Sequence, residues 1–341
     1  MRLLFIRFSS IGDIVLTTPA IRCAKQQIPG VEIHFLTKAT MKDLVMANPY
    51  IDQCHFLDQD IKETISELKK FEFDYIIDLH HNIRSWKIKS ALGVKAFSYQ
   101  KLSIRKLILA KLHINLLPTT HVCNRYLDTL KQLNVTNDGK GLDYFFPVNN
   151  TFTAAHLPTS HQAGFIAFVI GASYYNKKMP VQKWVQLAAT LKKPIVLIGG
   201  KEDIVEANLI AQSNTNYVYN ACGKFSLQES ASILQMSTVV VSHDTGFLHV
   251  AVALKKPTIT IWGATSPALQ FEAYYPSQNT PAHFNSIVPH LPCQPCTKQG
   301  DQHCPKGHFA CMQQQNINTI AAKVNEFLLI KVRIKEKAFL R

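Results

Sequence analysis

The chain has 341 residues, 47% of them hydrophobic and 18% charged, with a formal net charge of +14. That length and balance predict a two-domain globular protein with ample core and exclude an intrinsically disordered one. No run of about 18 uncharged apolar residues occurs, so no membrane-spanning helix is expected.

Residues 3–8, Leu-Leu-Phe-Ile-Arg-Phe, predict a first strand, and Ser9-Ser10-Ile11-Gly12-Asp13 the turn after it. Residues 14–27 then read as a helix in which Pro19 is tolerable only near the first turns. Arg7 interrupts the apolar run and no small-residue cleavage pattern follows, which argues against a signal peptide. Asp13 falls at the carboxyl end of a first parallel strand, where open α/β sheets put their ligand sites. A simple helix N-cap is the competing reading of that position. The turn lacks G-x-G-x-x-G, which argues against a dinucleotide oxidoreductase. Further strands are predicted at 31–36, 74–79 and 94–98, with helical segments between them.

Leu79 through Leu127 contain no Asp or Glu but nine Lys and Arg residues, from Arg84 to Arg125. A positive field of that strength suits a solvated face, a nucleic acid or an anionic membrane surface. No zinc-finger, K-homology or RNA-recognition signature supports the nucleic acid, so none is expected as a partner. Residues 147–161 read as a linker.

After that linker, strands are predicted at 165–170, 195–199, 217–219, 238–242 and 258–262, and Ser226 to Glu229 form a capping box. Strand–helix alternation in both halves implies two parallel, doubly wound sheets. One predicted strand ends at Gly171-Ala172-Ser173, and Lys177 and Lys178 follow just before Pro180 opens a helix containing Trp184. Lysines in a loop at that edge suit phosphate oxygens, or else are plain solvated surface. Another strand runs into Ser242-His243-Asp244-Thr245-Gly246-Phe247-Leu248-His249. Asp244, Thr245 and Gly246 there put a carboxylate, a hydroxyl and free N–H groups at one helix N-terminus, an anion-binding arrangement. An N-cap at Asp244 or Thr245 is the alternative. His249 lies on the first turns of the same helix, either closing the site or packing helix on sheet.

Four of the eight cysteines lie in one segment, Cys293-x2-Cys296-x7-Cys304-x6-Cys311, with His303 and His308 between them. Such a set can build a structural zinc site, although the spacing is not that of paired knuckles. A disulfide-stabilised loop and four free thiols are the alternatives. Cys23, Cys54, Cys123 and Cys222 are scattered and read as core residues.

Residues 5–21, Gly171-Ala-Ser with Lys177-Lys-Met-Pro180, Ile198-Gly-Gly-Lys-Glu-Asp203 and Ser242–His249 together resemble glycosyltransferase family 9, the lipopolysaccharide heptosyltransferases. The likeness runs from residue 1 to about 330. Met179 stands where the family usually has Trp, after a lysine where it usually has Arg. The resemblance implies a GT-B fold, two Rossmann-like domains facing across a cleft. These are an acceptor domain at 1–155 and a nucleotide-sugar domain at 156–316, with a C-terminal helix from 317 packing back on the first.

It also implies an inverting enzyme that moves a heptose from ADP-heptose to the inner core of a lipid A-linked acceptor. Another nucleotide sugar, or a non-catalytic basic or metal-binding protein, is the alternative. Asp13 would be the base, and Lys177, Asp244, Thr245, Gly246 and His249 would bind the donor. No metal cofactor is expected for catalysis, since lysine and a helix N-terminus can neutralise the leaving diphosphate. An anionic glycolipid acceptor implies a cytoplasmic protein held peripherally at the inner face of the inner membrane. The basic window and the tail 331–341 would serve as its docking surface.

Overall fold

Runs rich in Val, Ile, Leu and Phe with little alternation suit strands buried on both faces, and here they build two all-parallel sheets. The computed structural model describes residues 1–57, 60–213 and 215–339, with side chains as far as Ile330. The basic side chains of the tail 331–341 thus lie outside the described residues.

Strands β1 (Arg2–Ile6), β2 (Glu32–Lys38), β3 (Gln53–Leu57), β4 (Tyr75–Asp78) and β5 (Ala96–Ser98) form one sheet in the order β3-β2-β1-β4-β5. Phe5 of β1 stands opposite Phe35 on one side and Ile77 on the other. Leu3, Leu4, Phe5 and Ile6 are fully buried in this position. Strand order reverses between β1 and β4, so the loops leaving those two strands open the crevice where such sheets bind ligands.

The second sheet contains β6 (Ile166–Val169), β7 (Ile195–Ile198), β8 (Val218–Asn220), β9 (Val239–His243), β10 (Thr258–Ile261) and β11 (His283–Ser286). Its order is β11-β10-β9-β6-β7-β8, which puts the reversal between β6 and β9. Its core includes Phe168, Trp184, Leu187, Ile195, Val241 and Ile259. All nine predicted strands appear with ends within two residues of expectation.

Two expectations change. The helix foreseen over 14–27 is two, Ile11–Val15 and Thr18–Gln27. Thr17 and Thr18 turn their hydroxyls back onto the carbonyls of Ile14 and Val15, and Pro19 falls in the opening turn of the second helix. The domain boundaries also differ. Unit 1 comprises 1–102, 119–150 and 274–279, and unit 2 comprises 103–118, 151–273 and 280–341. The middle of the basic window therefore belongs to unit 2, not to the N-terminal domain. The helix Ile317–Phe339 buries Ile317, Ile320, Val324 and Phe327 in the core of unit 2.

Candidate active site

In unit 1 the side chain of Asp13 is held from one side. Ser10 caps the helix Ile11–Val15, and its N–H and hydroxyl donate to Asp13 Oδ2 at 3.2 and 2.9 Å. Arg7 Nη2 adds an ion pair to the same oxygen at 2.7 Å. Among the described residues Oδ1 accepts nothing, and the side chain keeps 24% of its surface exposed. Burial pushes the Asp13 carboxyl up, but Arg7 and Ser10 outweigh it and hold the group below the usual range.

Arg7 is 6% exposed and satisfies its other N–H groups on Ser9 O, Leu79 O and Tyr126 Oη. Its strategic position was not foreseen, although an arginine inside an apolar strand run is the sequence signal for it. His80, after β4, is driven down to about 4 by burial and by the charges of Arg7 and Lys101, so it is neutral at pH 7. Asp78 is committed elsewhere: it pairs with Lys89 at 2.6 Å and accepts from Ser85 and two main-chain N–H groups.

Unit 1 also holds a cavity of about 610 Å³ lined by the cations Lys38, Arg84 and Lys87 and by Leu57, Ile61 and Ile83. None of the three cations is ion-paired among the described residues. The lining suits an anion with an apolar portion.

In unit 2 the loops after β6 and β9 meet at the strand-order reversal. Lys177 Nζ donates to Asp244 Oδ2 at 2.7 Å and to its main-chain carbonyl at 3.1 Å. An ammonium has three donors, so one remains for a ligand oxygen. Thr265 Oγ1, in the loop after β10, donates to the same Asp244 oxygen at 2.8 Å. Burial raises the Asp244 pKa, but Lys177, Thr265 and the nearby His249 outweigh it and keep the carboxyl ionised. Lys178 is engaged differently, with Asp203 at 2.5 Å and Glu206 at 3.5 Å.

Gly246 opens the helix Gly246–Ala253, and Thr245 stands at its N-cap with extended backbone. The expected alternative, a plain cap, fails here: the Thr245 hydroxyl makes no capping bond, and its buried oxygen has no partner among the described residues. The first N–H groups and that hydroxyl are thus left for a ligand, the condition under which a helix terminus binds phosphate. His249 is 4% exposed on the same helix. Asp13 belongs to unit 1, and the other five expected site residues are gathered in unit 2.

The cysteine segment buttresses this site. Gln294 Nε2 donates to the carbonyls of Trp262, Gly263 and Thr265, and Cys296 N–H to Ala264 O. Asn176, 1% exposed, binds His303 O and Asp301 N–H with its side chain. A Cβ on Gly263 would collide with the Asn176 carbonyl, so the two loops touch only because residue 263 is glycine. All four cysteines are free thiols. Burial and the neighbouring sulfurs push Cys296 up to about 11 and Cys311 up to about 12. Among the described residues no three His, Cys, Asp or Glu side chains are grouped so as to hold a metal ion.

Two parallel α/β units, one offering an ionised carboxylate after its first strand and the other a lysine beside an uncapped helix terminus, are those of a GT-B glycosyltransferase. The chain belongs to Glycosyltransferase family 9 (heptosyltransferase), whose model matches residues 61–306. Lipopolysaccharide heptosyltransferase 1 of Campylobacter coli is 24% identical over 78% of this chain and 84% of its own length. The family 9 glycosyltransferase of Veillonella parvula has a TM-score of 0.76 at 20% identity, covering 96% of this chain and 97% of that one. The Escherichia coli ADP-heptose lps heptosyltransferase II has a TM-score of 0.73 at 17% identity, covering 97% and 99%.

Proposed function

We propose that this glycosyltransferase moves a heptose from ADP-heptose to the inner core of a lipid A-linked lipopolysaccharide precursor, with inversion at the anomeric carbon. Asp13 takes the proton of the acceptor hydroxyl. The hydroxyl oxygen bonds to the anomeric carbon as that carbon's bond to the diphosphate oxygen breaks, and the electron pair of the broken bond leaves with ADP. A single displacement from the opposite face inverts the centre.

Lys177, the Thr245 hydroxyl and the first N–H groups of the helix at Gly246 meet the charge growing on the diphosphate. Asp244, fixed by Lys177 and Thr265, accepts from sugar hydroxyls, and His249 closes the site beneath them. The protein acts as a peripheral cytoplasmic enzyme at the inner face of the inner membrane.

One observation carries the reading: the Lys177–Asp244 pair stands beside a helix terminus whose own cap is unused. The name of the Escherichia coli neighbour supports the donor, and the cationic, part-apolar cavity of unit 1 supports a phosphorylated lipid acceptor. Calorimetric titration with ADP-heptose, ADP-glucose and UDP-glucose tests the donor, with tightest binding expected for ADP-heptose. Incubation of that donor with a lipid A-linked acceptor, followed by NMR assignment of the new linkage, tests the rest. Preferred binding of a hexose donor, or retained anomeric configuration, would overturn it.

A further inference from the structure

The helix Ser103–Leu112 buries a lysine and leaves large apolar side chains exposed. Its inward face carries Lys106, 6% exposed, with the ammonium 3.7 Å from the centre of the Phe271 ring and Leu109 and Ala110 buried alongside. Lys106 was expected to belong to a basic docking face; instead it is spent on an internal cation–π contact. The outward face carries Ile104 at 76% exposure, Leu107 at 47% and Leu112 at 64%. The chain then runs on through Ile114 and Leu116, 52% and 51% exposed, with Arg105 Nη1 bonded back to Leu116 O.

An isolated exposed leucine needs no explanation, but apolar side chains repeated along one helix face and the segment after it mark an interaction surface. Ile104, Leu107 and Lys111 follow the helical period, with Arg105 and Leu112 beside them. Both of these cations are exposed, neither is ion-paired among the described residues, and the stretch from Leu79 to Leu127 contains no Asp or Glu. A protein interface core is depleted in lysine, whereas leucine and isoleucine flanked by Lys and Arg are the composition of a helix lying in a bilayer interface.

We propose that Ser103–Leu116 is an interfacial anchor. Ile104, Leu107, Leu112, Ile114 and Leu116 enter the headgroup layer of an anionic bilayer, and Arg105 and Lys111 pair with lipid phosphates. The proposal rests on the reading of the acceptor as a membrane glycolipid and names the element that brings the enzyme to it. The anchor belongs to unit 2, the unit that holds the donor residues.

Flotation of the full chain with vesicles of phosphatidylglycerol and phosphatidylcholine in equal parts, and of phosphatidylcholine alone, tests it. The wild type should float with the anionic vesicles. Arg105→Gln with Lys111→Gln should bind about 30-fold more weakly at low salt, the wild type losing its advantage as salt rises. Ile104→Ser, Leu107→Ser and Leu112→Ser together should weaken binding about a hundredfold at any salt. Calorimetry with ADP-heptose in the absence of lipid checks that both variants remain folded, with donor affinity unchanged.

Flotation of the apolar variant at wild-type level would overturn the proposal. So would a wild-type dimer in sedimentation that ignores vesicles and that the apolar variant dissolves, since the face would then belong to a second copy. Failure of the wild type to bind any nucleotide sugar would strike the transferase reading and leave the flotation result standing.

Discussion

Arg7 Nη2 stands 2.7 Å from Asp13 Oδ2, so the carboxylate assigned as base is kept ionised and immobile by a guanidinium that is itself nearly buried. The pairing trades basicity for availability. A carboxylate of low pKa is a weaker base, yet it is deprotonated across the working range and its open oxygen, Oδ1, points at one fixed place. Removing the guanidinium removes the main influence that lowers the Asp13 pKa. In Arg7→Gln the acid limb of the kcat/KM profile should therefore move to higher pH, with kcat falling more than KM rises. A profile with an unmoved acid limb would show that Arg7 does not set the ionisation of Asp13.

Asp13→Asn keeps the size and the Ser10 contacts while abolishing the base. Donor affinity should stay within a few-fold, and the rate should drop by about 10² to 10⁴. Calorimetry for ADP-heptose beside single-turnover transfer separates the two. A comparable loss of donor binding would make Asp13 structural.

The neighbouring lysines 177 and 178 should part company. Lys177→Ala should raise the donor dissociation constant, with an effect that shrinks at high salt. Lys178→Ala leaves Asp203, whose side chain is 1% exposed, with its charge unpaired and, among the described residues, only the Gly200 N–H as donor, and should cost about 3 kcal/mol in urea unfolding with donor affinity retained. The reverse pattern would assign the phosphate contact to Lys178.

Gln294 and Asn176 touch no expected substrate atom, yet between them they tie the cysteine segment to the loops that carry Lys177 and Thr265. Gln294→Ala should weaken ADP-heptose binding several-fold while the thermal midpoint shifts by only a few degrees, as loss of about 1 kcal/mol predicts. Unchanged affinity would leave the cysteine segment as a passive insertion.

Buried histidines set an acid limit. His34, His80, His161 and His243 all have pKa values lowered chiefly by burial, to about 4 for His80 and about 3 for His243. A histidine depressed in the fold binds its proton more readily when unfolded, so stability is full above about pH 6.5 and drains away as pH falls below it. Thermal midpoints should be level from pH 7 to 8 and fall steadily from pH 6.5 to 4. A flat profile through that range would contradict the burial of these rings.

Much of this was legible in the residues, and the misses share physical causes. Central strands announce themselves because both faces are apolar, as Leu3 to Ile6 and Val239 to Val241 do. The two strands not foreseen, Gln53–Leu57 and His283–Ser286, are both sheet edges, where polar residues are tolerated and the hydrophobic signal fades. The Asp244 turn was readable because strand, acid, hydroxyl and glycine adjoin in sequence. Thr265 reaches its carboxylate only through tertiary packing, from 21 residues away, and spacing cannot reveal that. The true allegiance of helix Ser103–Leu112 was hidden for the same reason, since Lys106 finds Phe271 across the fold.

The chain changes units after Leu102, Pro118, Asn150, Ala273 and Asn279. A gene fragment ending near residue 150 would therefore encode a unit lacking Tyr274, whose ring stacks on His121 at 4.7 Å and whose hydroxyl donates to Asn124. It would also lack the backbone around Pro276 that crowds Gly141. The heritable module for unit 1 is the N-terminal stretch together with the hexapeptide 274–279, and for unit 2 it includes 103–118. Each unit is therefore drawn from interleaved stretches of the chain rather than from one continuous half.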